Sequence, residues 1–329
     1  MQIIGLDIGG ANLKAADNDG RCVTRVFEIW KRHELLQSTL AEIVAVTMTA
    51  ELADCFETKS QGVDFILTAV ERVAGSAPVD VWQTGAEFVC PDVAREIPML
   101  VAAANWHAQA TWVGRMVPQG AALLIDIGTT TTDIIPLWNG VPVPEGLTDS
   151  ERLRSGELVY TGIRRTPICA VTQTVPLRGR VCPVAAELFA TTLDVYILLG
   201  EVAENSDDCD TANGRAATRT AARDRIARMV CCDRLEITTS EAREIAEYVA
   251  ALQREKICMA IDMVLARQKE LPPQILISGS GSFLARSVIS QHPRLAQSEH
   301  VSIVEAMGPE LSEAACAYAV ARLASERFA

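Results

Sequence analysis

A short pattern of apolar strand, aspartate and glycine turn occurs twice in this chain of 329 residues. The first copy reads Leu6-Asp7-Ile8-Gly9, and the second reads Ile125-Asp126-Ile127-Gly128. Each copy runs into a further strand-like stretch and then a turn dipeptide, Asp19-Gly20 or Asn139-Gly140, of a kind that favours hairpins. The repetition predicts two similar α/β lobes, each opening with a strand, a loop and a second strand.

The second copy continues with four threonines and an aspartate, Thr129 to Asp133. A glycine lets backbone N–H groups approach an anion, threonine hydroxyls add donors, and Asp126 and Asp133 can hold a magnesium ion. One such turn alone is more often a structural turn than a ligand site. Two turns at corresponding positions favour a pair of phosphate-binding loops.

Composition limits the classes of partner. The net charge of −12 and the pI near 4.9 argue against a nucleic-acid partner or an anionic membrane surface, because both require clustered Lys and Arg. No apolar run approaches the length of a membrane span and no signal-peptide pattern follows Met1, so we expect a cytoplasmic protein. The ten cysteines form no C-x-x-C pair, which favours reduced thiols over zinc or disulfides.

The first lobe contains one further group of polar residues at a strand end. An apolar strand at 43–46 leads to Glu51 and Asp54, each of which could act as a base or bind an amine. From spacing alone a helix N-terminus is the better explanation of these carboxylates. Helices are predicted at 34–41, at 59–75 and from Pro98 to just before Gly120, the last with Asn105 and His107 as satisfied core residues.

The second lobe is expected to begin after the turn signal Pro118-Gln119-Gly120. Arg164 and Arg165 could bind a phosphate or carboxylate, although loop arginines are usually solvated. Helical patterns between 184 and 268 predict an inserted cap, with an acidic surface loop at 205–214. A last sheet strand ends in Ser278-Gly279-Ser280-Gly281, where Gly279 and Gly281 permit close approach of a ligand.

The order of these motifs resembles the superfamily of acetate and sugar kinases, Hsp70 and actin, and the four-threonine loop resembles its hydantoinase and oxoprolinase branch. The resemblance implies two ribonuclease-H-like lobes, residues 1–118 and 119–329, around a phosphate-binding cleft, with a helical insert in the second lobe. It places phosphates on the two aspartate–glycine loops and adenosine near the last glycine turn. The spaced glycines at 279 and 281 depart from the adjacent pair of many nucleotide-binding relatives, which argues against tight adenosine binding.

A closer resemblance rests on four more stretches: Met48 to Cys55, Ala104-Asn105-Trp106, Gly156 to Tyr160 and Arg165-Thr166-Pro167. These are similar to the proteins of tetrahydromethanopterin-linked one-carbon transfer, a group that includes enzymes of methanofuran synthesis. The resemblance implies a transferase that condenses (aminomethyl)furanylmethyl diphosphate with tyramine or a tyrosine-like phenol and releases pyrophosphate. Mg²⁺ is the implied cofactor and small molecules are the implied partners; homo-oligomerisation stays open.

The resemblance also implies roles for individual residues. Glu51 and Asp54 become candidates for binding the amine or taking the phenol proton, Lys14 adds a cation, and Asn105, Arg164, Arg165, Gly279 and Gly281 contact substrate. The metal ligands would be Asp7, Asp126 and Asp133, and the phosphate-binding residues Gly9, Gly10, Asn12, Gly128, Thr129, Thr130, Thr131 and Thr132. Two other functions share this fold, an ATP-dependent kinase or hydrolase and a non-catalytic protein switched by nucleotide.

Overall fold

The computed structural model describes residues 2–9, 12–26 and 43–327. The helix predicted at 34–41 and the loop residue Gly10 lie outside this part of the chain. Within it, no helix combines the length and the apolar character needed to cross a lipid bilayer.

The first sheet is built around the strand that ends in Asp7. Its six strands lie in the order β3-β2-β1-β4-β5-β6, with β1 antiparallel to β2 and parallel to β4. Every residue of β4 is buried, as its continuous apolar sequence predicts. The strands are β1 Ile3–Ile8, β2 Asn12–Asp17, β3 Cys22–Val26, β4 Ile43–Met48, β5 Val79–Gln83 and β6 Glu87–Val89.

The second sheet repeats this arrangement around the strand that ends in Asp126. Its order is β10-β8-β7-β13-β14, with β9 beside β8, and β7 is antiparallel to β8 and parallel to β13. Both lobes therefore have the ribonuclease-H-like arrangement of the actin and Hsp70 superfamily, which confirms the predicted fold. The strands are β7 Ala121–Ile127, β8 Thr132–Trp138, β9 Val141–Pro142, β10 Leu158–Val159, β13 Gln274–Ser278 and β14 Glu299–Ser302.

Helices cover the first sheet. Helix α1, Lys59–Ala74, is capped by the Thr58 side chain, ends at Gly75 as predicted, and buries the stripe Val63, Ile66, Leu67 and Val70 against β4 and β5. The prediction of a single helix after Pro98 is wrong. After the short helix α2 Pro91–Glu96, the chain forms α3 Pro98–Val101, α4 Asn105–Val113 and a 3₁₀ turn at Gly114–Met116, and Ala103, with a φ of 50°, separates α3 from α4.

The insert of the second lobe is helical, with a hairpin that the sequence did not predict. Helices α7, α8 and α9 share one apolar core with the sheet. The expected first helix of the insert begins later than 184, at Thr192. The elements of this region are α5 Asp149–Ser155, α6 Ile168–Val171, β11 Thr174–Leu177, β12 Arg180–Pro183, α7 Thr192–Leu199, α8 Arg219–Met229 and α9 Thr239–Arg267.

The C-terminal helix returns to the first sheet, where it packs on β1, β2 and β4. Gly5 makes this close approach possible, since a Cβ there would lie 1.9 Å from the carbonyl oxygen of Ala317. A lobe boundary near residue 118 stays a prediction, and the helix that ends the chain packs on the lobe that begins it. The last helices are α10 Ser282–Gln291, α11 Ile303–Met307, α12 Pro309–Glu313 and α13 Ala315–Arg327.

Candidate functional site between the two lobes

The two aspartate–glycine loops have the same backbone turn. The N–H of Gly9 donates to the carbonyl of Asn12, and the N–H of Gly128 donates to the carbonyl of Thr131, each at 2.9 Å. Neither glycine has a positive φ. At Gly128 an added Cβ would meet only the Thr131 carbonyl oxygen, at 3.6 Å, so this glycine leaves open space beside the backbone. The turn is therefore accessible to a ligand on its outer side.

Asp7 and Asp126 occupy equivalent positions on β1 and β7. Asp7 lies opposite Lys14 on β2, and Asp126 lies opposite Asp133 on β8. Burial raises the pKa of Asp7, and its Oδ1 is buried without a hydrogen-bond partner in the described chain. Burial also raises the pKa of Asp126 to about 7; the carboxylates of Asp133 and Asp7 add to the rise and Lys14 opposes it. The aspartates of both lobes thus act on one another across the cleft.

A buried amide that the sequence reading missed lies beside Asp126. Gln109 of α4 donates to the Ser278 hydroxyl at 2.6 Å and accepts from the Cys316 thiol at 3.2 Å. A hydrogen bond from Gln109 also lowers the pKa of Asp126. Gln109 therefore joins α4, β13 and α13 at the base of the cleft. No local pattern marks it, because its partners are far away in sequence.

The four threonines of the second loop do not share one environment. Thr129 is exposed, and Thr130 and Thr131 are partly buried. Thr132 is fully buried, and its hydroxyl donates to the carbonyl of Thr161 at 2.8 Å. The protein itself therefore satisfies the Thr132 hydroxyl as a donor, and a role of Thr132 in phosphate binding stays a prediction.

The segment 161–166 supports the second loop from below. The N–H of Ile163 donates to the Gly128 carbonyl at 3.1 Å, and those of Arg164 and Arg165 donate to the Thr129 carbonyl at 3.1 and 3.0 Å. Gly162 allows this contact, because a Cβ there would lie 2.5 Å from the Thr130 nitrogen. The backbone of this segment, rather than its arginine side chains, fixes the loop.

The Arg164 side chain is engaged by the acidic loop of the insert. Its Nη2 lies 2.7 Å from both carboxylate oxygens of Asp208 and 2.9 Å from the carbonyl of Asp210. The charge of Arg164 is therefore already paired within the protein, and its contact with substrate stays a prediction. Arg165 is exposed on the same segment.

The glycine turn after β13 packs against β7. Gly279 has a φ of 83°, and a Cβ there would lie 2.2 Å from Asp126 Oδ1. A Cβ on Gly281 would lie 2.5 Å from the Ile127 side chain, and the N–H of Gly281 donates to the Ile127 carbonyl at 2.8 Å. Close packing beside Asp126 explains both glycines without a ligand.

Glu51 is a buried carboxylate that faces the second lobe. It is 1% exposed, and its Oε2 has no hydrogen-bond partner in the described chain. Burial raises its pKa to about 7; its own N–H, that of Ala103 and Lys59 oppose the rise, and Asp149 adds to it. The explanation by a helix N-terminus is wrong, because α1 begins at Lys59. Asp54, by contrast, is exposed.

Arg152 links the lobes on this side of the cleft. Its guanidinium lies 2.5 Å from Asp133 Oδ1 and 3.5 Å from Asp149 Oδ1, and its Cζ lies 3.9 Å from the centre of the Trp106 ring. One oxygen of Asp133 is therefore held by Arg152, so a role as metal ligand falls to the other oxygen.

The two polar residues that begin α4 differ in their surroundings. His107 is buried, its Nδ1 accepts from the Trp82 indole N–H at 3.3 Å, and burial lowers its pKa to about 4, with Arg152 adding to the fall. It is the satisfied core residue that the sequence predicts. Asn105 is partly buried, with Oδ1 2.8 Å from the N–H of Trp106. In the sequence, Asn105 follows the interruption of the helix at Ala103 and directly precedes Trp106.

Comparison with known proteins adds a family to this geometry. The profile of the family described as Hydantoinase/oxoprolinase matches residues 42–327. The chain belongs to the hydantoinase/oxoprolinase family. This confirms the branch that the four-threonine loop suggests.

Two curated relatives of this hydantoinase/oxoprolinase-family chain carry the same name, (4-{4-[2-(gamma-L-glutamylamino)ethyl]phenoxymethyl}furan-2-yl)methanamine synthase. The protein from Methanocaldococcus jannaschii is 31% identical over 337 residues, covering 100% of this chain and 99% of its own length. The protein from Methanococcus vannielii is 31% identical over 207 residues, covering 61% of this chain and 89% of its own length.

A solved structure supports the fold alone. The nucleotide-free structure of an acetone carboxylase that performs ATP-dependent acetone carboxylation aligns with a TM-score of 0.54 at 11% sequence identity. The alignment covers 97% of this chain and 70% of the carboxylase chain.

The carboxylate oxygens at this site suit a hard cation such as Mg²⁺ that also binds oxygen atoms of a ligand. The described residues contain no group of three or more His, Cys, Asp or Glu side chains arranged to hold a metal by themselves. Mg²⁺ commonly uses one or two carboxylates and takes its remaining ligands from phosphate oxygens and water. The unpartnered Oδ1 of Asp7 beside Asp126 fits that kind of site.

Proposed function

We propose that this chain is a synthase of methanofuran-type cofactors for tetrahydromethanopterin-linked one-carbon transfer. It would join (aminomethyl)furanylmethyl diphosphate to the phenol oxygen of a tyramine-type acceptor and release pyrophosphate. The name shared by the two relatives describes a phenoxymethyl link between a furan and a substituted phenyl ring, which is the bond that such a reaction forms. The full-length similarity to the first relative supports the transfer of this reaction type.

The reaction exchanges one carbon–oxygen bond for another. The bond between the furfuryl carbon and the diphosphate breaks, and pyrophosphate leaves with the electron pair. The furan ring stabilises the positive charge that develops on that carbon, the phenol oxygen supplies the electron pair of the new ether bond, and the phenol proton passes to a base. The protein's main tasks are to bind the diphosphate and to stabilise its departure.

The observation that carries the proposal is the placement of Asp7 and Asp126 at equivalent strand ends of the two lobes, with Oδ1 of Asp7 buried and without a partner in the described chain. When bound, Mg²⁺ held by these carboxylates would neutralise charge on the leaving diphosphate. Lys14 lies opposite Asp7 and close enough to lower its pKa, so it would add a further positive charge. The backbone N–H groups of the loops after Gly9 and Gly128 would bind phosphate oxygens.

The acceptor is best described as a tyramine-type phenol. The relatives' name places a gamma-glutamylamino group on the ethyl arm of the phenyl ring, where tyramine carries its amine. A tyrosine acceptor would bring a carboxylate, and Arg164, one residue considered for that carboxylate, is already paired with Asp208. Of the two candidate carboxylates in the first lobe, the buried Glu51 is better placed than the exposed Asp54 to meet a substrate.

The test is pyrophosphate release by the purified protein with the furan diphosphate, a phenolic acceptor and Mg²⁺. We expect release that requires both organic substrates and needs no ATP. An ATP-dependent kinase or hydrolase, which is compatible with the same fold, is the second candidate. ATP hydrolysis stimulated by an organic substrate, with no pyrophosphate release in the absence of ATP, would decide for that candidate.

A further inference from the structure

The buried Oε2 of Glu51, which has no hydrogen-bond partner in the described chain, has no explanation in the fold. A carboxylate oxygen buried without any partner is costly, because it loses its hydration and gains nothing in exchange. The residue lies in the turn after β4, at the sheet edge that faces the cleft. A buried acceptor of this kind is expected where the protein binds a donor that it does not itself supply.

The backbone next to Glu51 departs from regular secondary structure. Ala102 pairs with Met48, the last residue of β4, and Ala103 follows with a φ of 50°, which interrupts what would otherwise continue as a helix. For a residue other than glycine this left-handed conformation costs about 1 kcal/mol or more. Strain of this kind is found at ligand sites, where the surrounding structure enforces it.

A second carboxylate lies opposite, on the other lobe. Asp149 at the start of α5 adds to the raised pKa of Glu51, and Lys59 opposes the rise at both residues. Two contacts connect them in space: Ala102 pairs with Met48 at the end of β4, and the Trp106 ring lies under Arg152, whose Nη1 lies 3.5 Å from Asp149. Arg152 lies much closer to Asp133, at 2.5 Å, so it pairs first with that residue and leaves Asp149 incompletely neutralised.

We propose that Glu51 and Asp149 together bind the primary ammonium group of the donor substrate. This inference rests on the proposed function, since that function supplies a donor with a diphosphate at one end and an aminomethyl group at the other. An ammonium group has three N–H donors and a full positive charge, which suits one unpartnered carboxylate oxygen and a second carboxylate across the cleft.

The order of charges along the cleft gives the donor a direction. Asp133 lies opposite Asp126 in the sheet and shares Arg152 with Asp149, so it lies between the diphosphate loops and the Glu51–Asp149 pair. The diphosphate would lie at Asp7 and Asp126, the furan ring would pass Asp133, and the ammonium would reach Glu51. In this arrangement Glu51 positions the donor and does not take the phenol proton.

The test is a ligand-observed NMR titration with furfurylamine, in the presence of Mg²⁺ and inorganic pyrophosphate. Furfuryl alcohol, which has the same ring and no positive charge, serves as the neutral comparison. Glu51→Gln and Asp149→Asn should each weaken furfurylamine binding by about tenfold, the usual scale for a charged hydrogen bond. Furfuryl alcohol should bind all variants alike, and the exposed-carboxylate control Glu57→Gln should bind the amine as the native protein does.

Unchanged furfurylamine binding in both variants, or equal binding of amine and alcohol by the native protein, would overturn the ammonium site. The titration needs no turnover, so its result is separate from that of the pyrophosphate assay. Amine selectivity that depends on Glu51 and Asp149, together with an absence of pyrophosphate release, would keep the ammonium site and reject the proposed reaction. Pyrophosphate release, together with unchanged furfurylamine binding in both variants, would keep the proposed reaction and reject the ammonium site.

Discussion

Asp7 and Asp126 are the corresponding residues of two sheets that share one strand arrangement. Each is the next-to-last residue of its central strand, and each is followed by a glycine whose N–H closes the same turn. Their strand partners differ, with Lys14 opposite Asp7 and Asp133 opposite Asp126. The duplicated scaffold thus presents a cation on one side of the cleft and an extra carboxylate on the other, which suits a ligand carrying both phosphate and metal.

The first prediction concerns stability and pH at Glu51. Burial raises its pKa to about 7 in the native state from the ordinary value of 4.5, which applies to the unfolded chain. Between these two pH values the native protein therefore holds a proton that the unfolded chain releases. Stability from this group is therefore complete below pH about 4.5 and is lost as the pH rises through about 7. Glu51→Gln should leave the free energy of unfolding nearly unchanged at pH 4.5 and raise it at pH 8, by an amount on the order of 3 kcal/mol.

Urea unfolding of Glu51→Gln and the native protein at both pH values measures this difference. Glu57→Gln, an exposed carboxylate nearby, is the control and should show no pH-dependent gain. An identical difference at pH 4.5 and pH 8 would mean that the native state does not raise the pKa of the buried carboxyl above its value in the unfolded chain.

The second prediction concerns Arg152, which is 1% exposed and binds two aspartates and the Trp106 ring. Arg152→Met should lower the free energy of unfolding by about 3 kcal/mol, because it leaves Asp133 and Asp149 without their cation. The neighbouring exposed Arg154→Met should change it by less than about 0.5 kcal/mol. Equal effects of the two substitutions in urea unfolding would show that the buried ion pairs contribute no more than surface charge.

The third prediction separates steric contact from backbone conformation at Gly279. Gly279→Ala should cost about 3 kcal/mol or more, because its Cβ would clash with Asp126 Oδ1 and the Ile127 carbonyl as well as adopt a positive φ. Gly75→Ala shares the positive φ but meets nothing within 4 Å, so it should cost about 1 kcal/mol. Thermal unfolding of both variants measures these costs. A similar loss of stability in the two variants would mean that the glycine turn does not pack against Asp126.

The fourth prediction concerns the buried hydrogen bonds beneath the second loop. Gln253 of α9 accepts from the Tyr196 hydroxyl at 2.7 Å and donates to the Thr161 hydroxyl and the Gly162 carbonyl, each at 2.9 Å. Gln253→Leu should cost about 2 kcal/mol by leaving these groups unsatisfied, and Tyr196→Phe about 1 kcal/mol. Because the segment 161–166 supports the loop, Gln253→Leu should also weaken pyrophosphate binding. An unchanged affinity for pyrophosphate in Gln253→Leu would show that these hydrogen bonds do not affect phosphate binding by the second loop.

The sequence allowed prediction of the features that short stretches encode. The repeated strand, aspartate and glycine turn gave both lobes, and the apolar stripe of α1 with Gly75 gave that helix and its end. The features it missed depend on residues that meet only after folding. Gln109 and Ser278, for example, are separated by 169 positions, and nothing near either one marks the contact.

Local sequence patterns also led to wrong expectations at positions where tertiary contacts determine the structure. The run of alanines at 102–104 favours a helix, yet the helix is interrupted at Ala103, next to the pairing of Ala102 with Met48 at the end of β4. The threonine run suggests four equivalent donors, but alternation along β8 turns Thr132 into the core. Arg164 resembles a free loop arginine until the insert brings Asp208 to it.

The central claim is that Asp7 and Asp126 jointly hold a magnesium-bound diphosphate between the lobes. Calorimetric titration of inorganic pyrophosphate into the native protein, Asp7→Asn, Asp126→Asn and the exposed control Asp92→Asn tests it most directly, with and without Mg²⁺. We expect binding that requires Mg²⁺, falls by about tenfold or more in each of the two cleft variants, and is unchanged in Asp92→Asn. Native affinity in both Asp7→Asn and Asp126→Asn, or equal binding without Mg²⁺, would contradict the account.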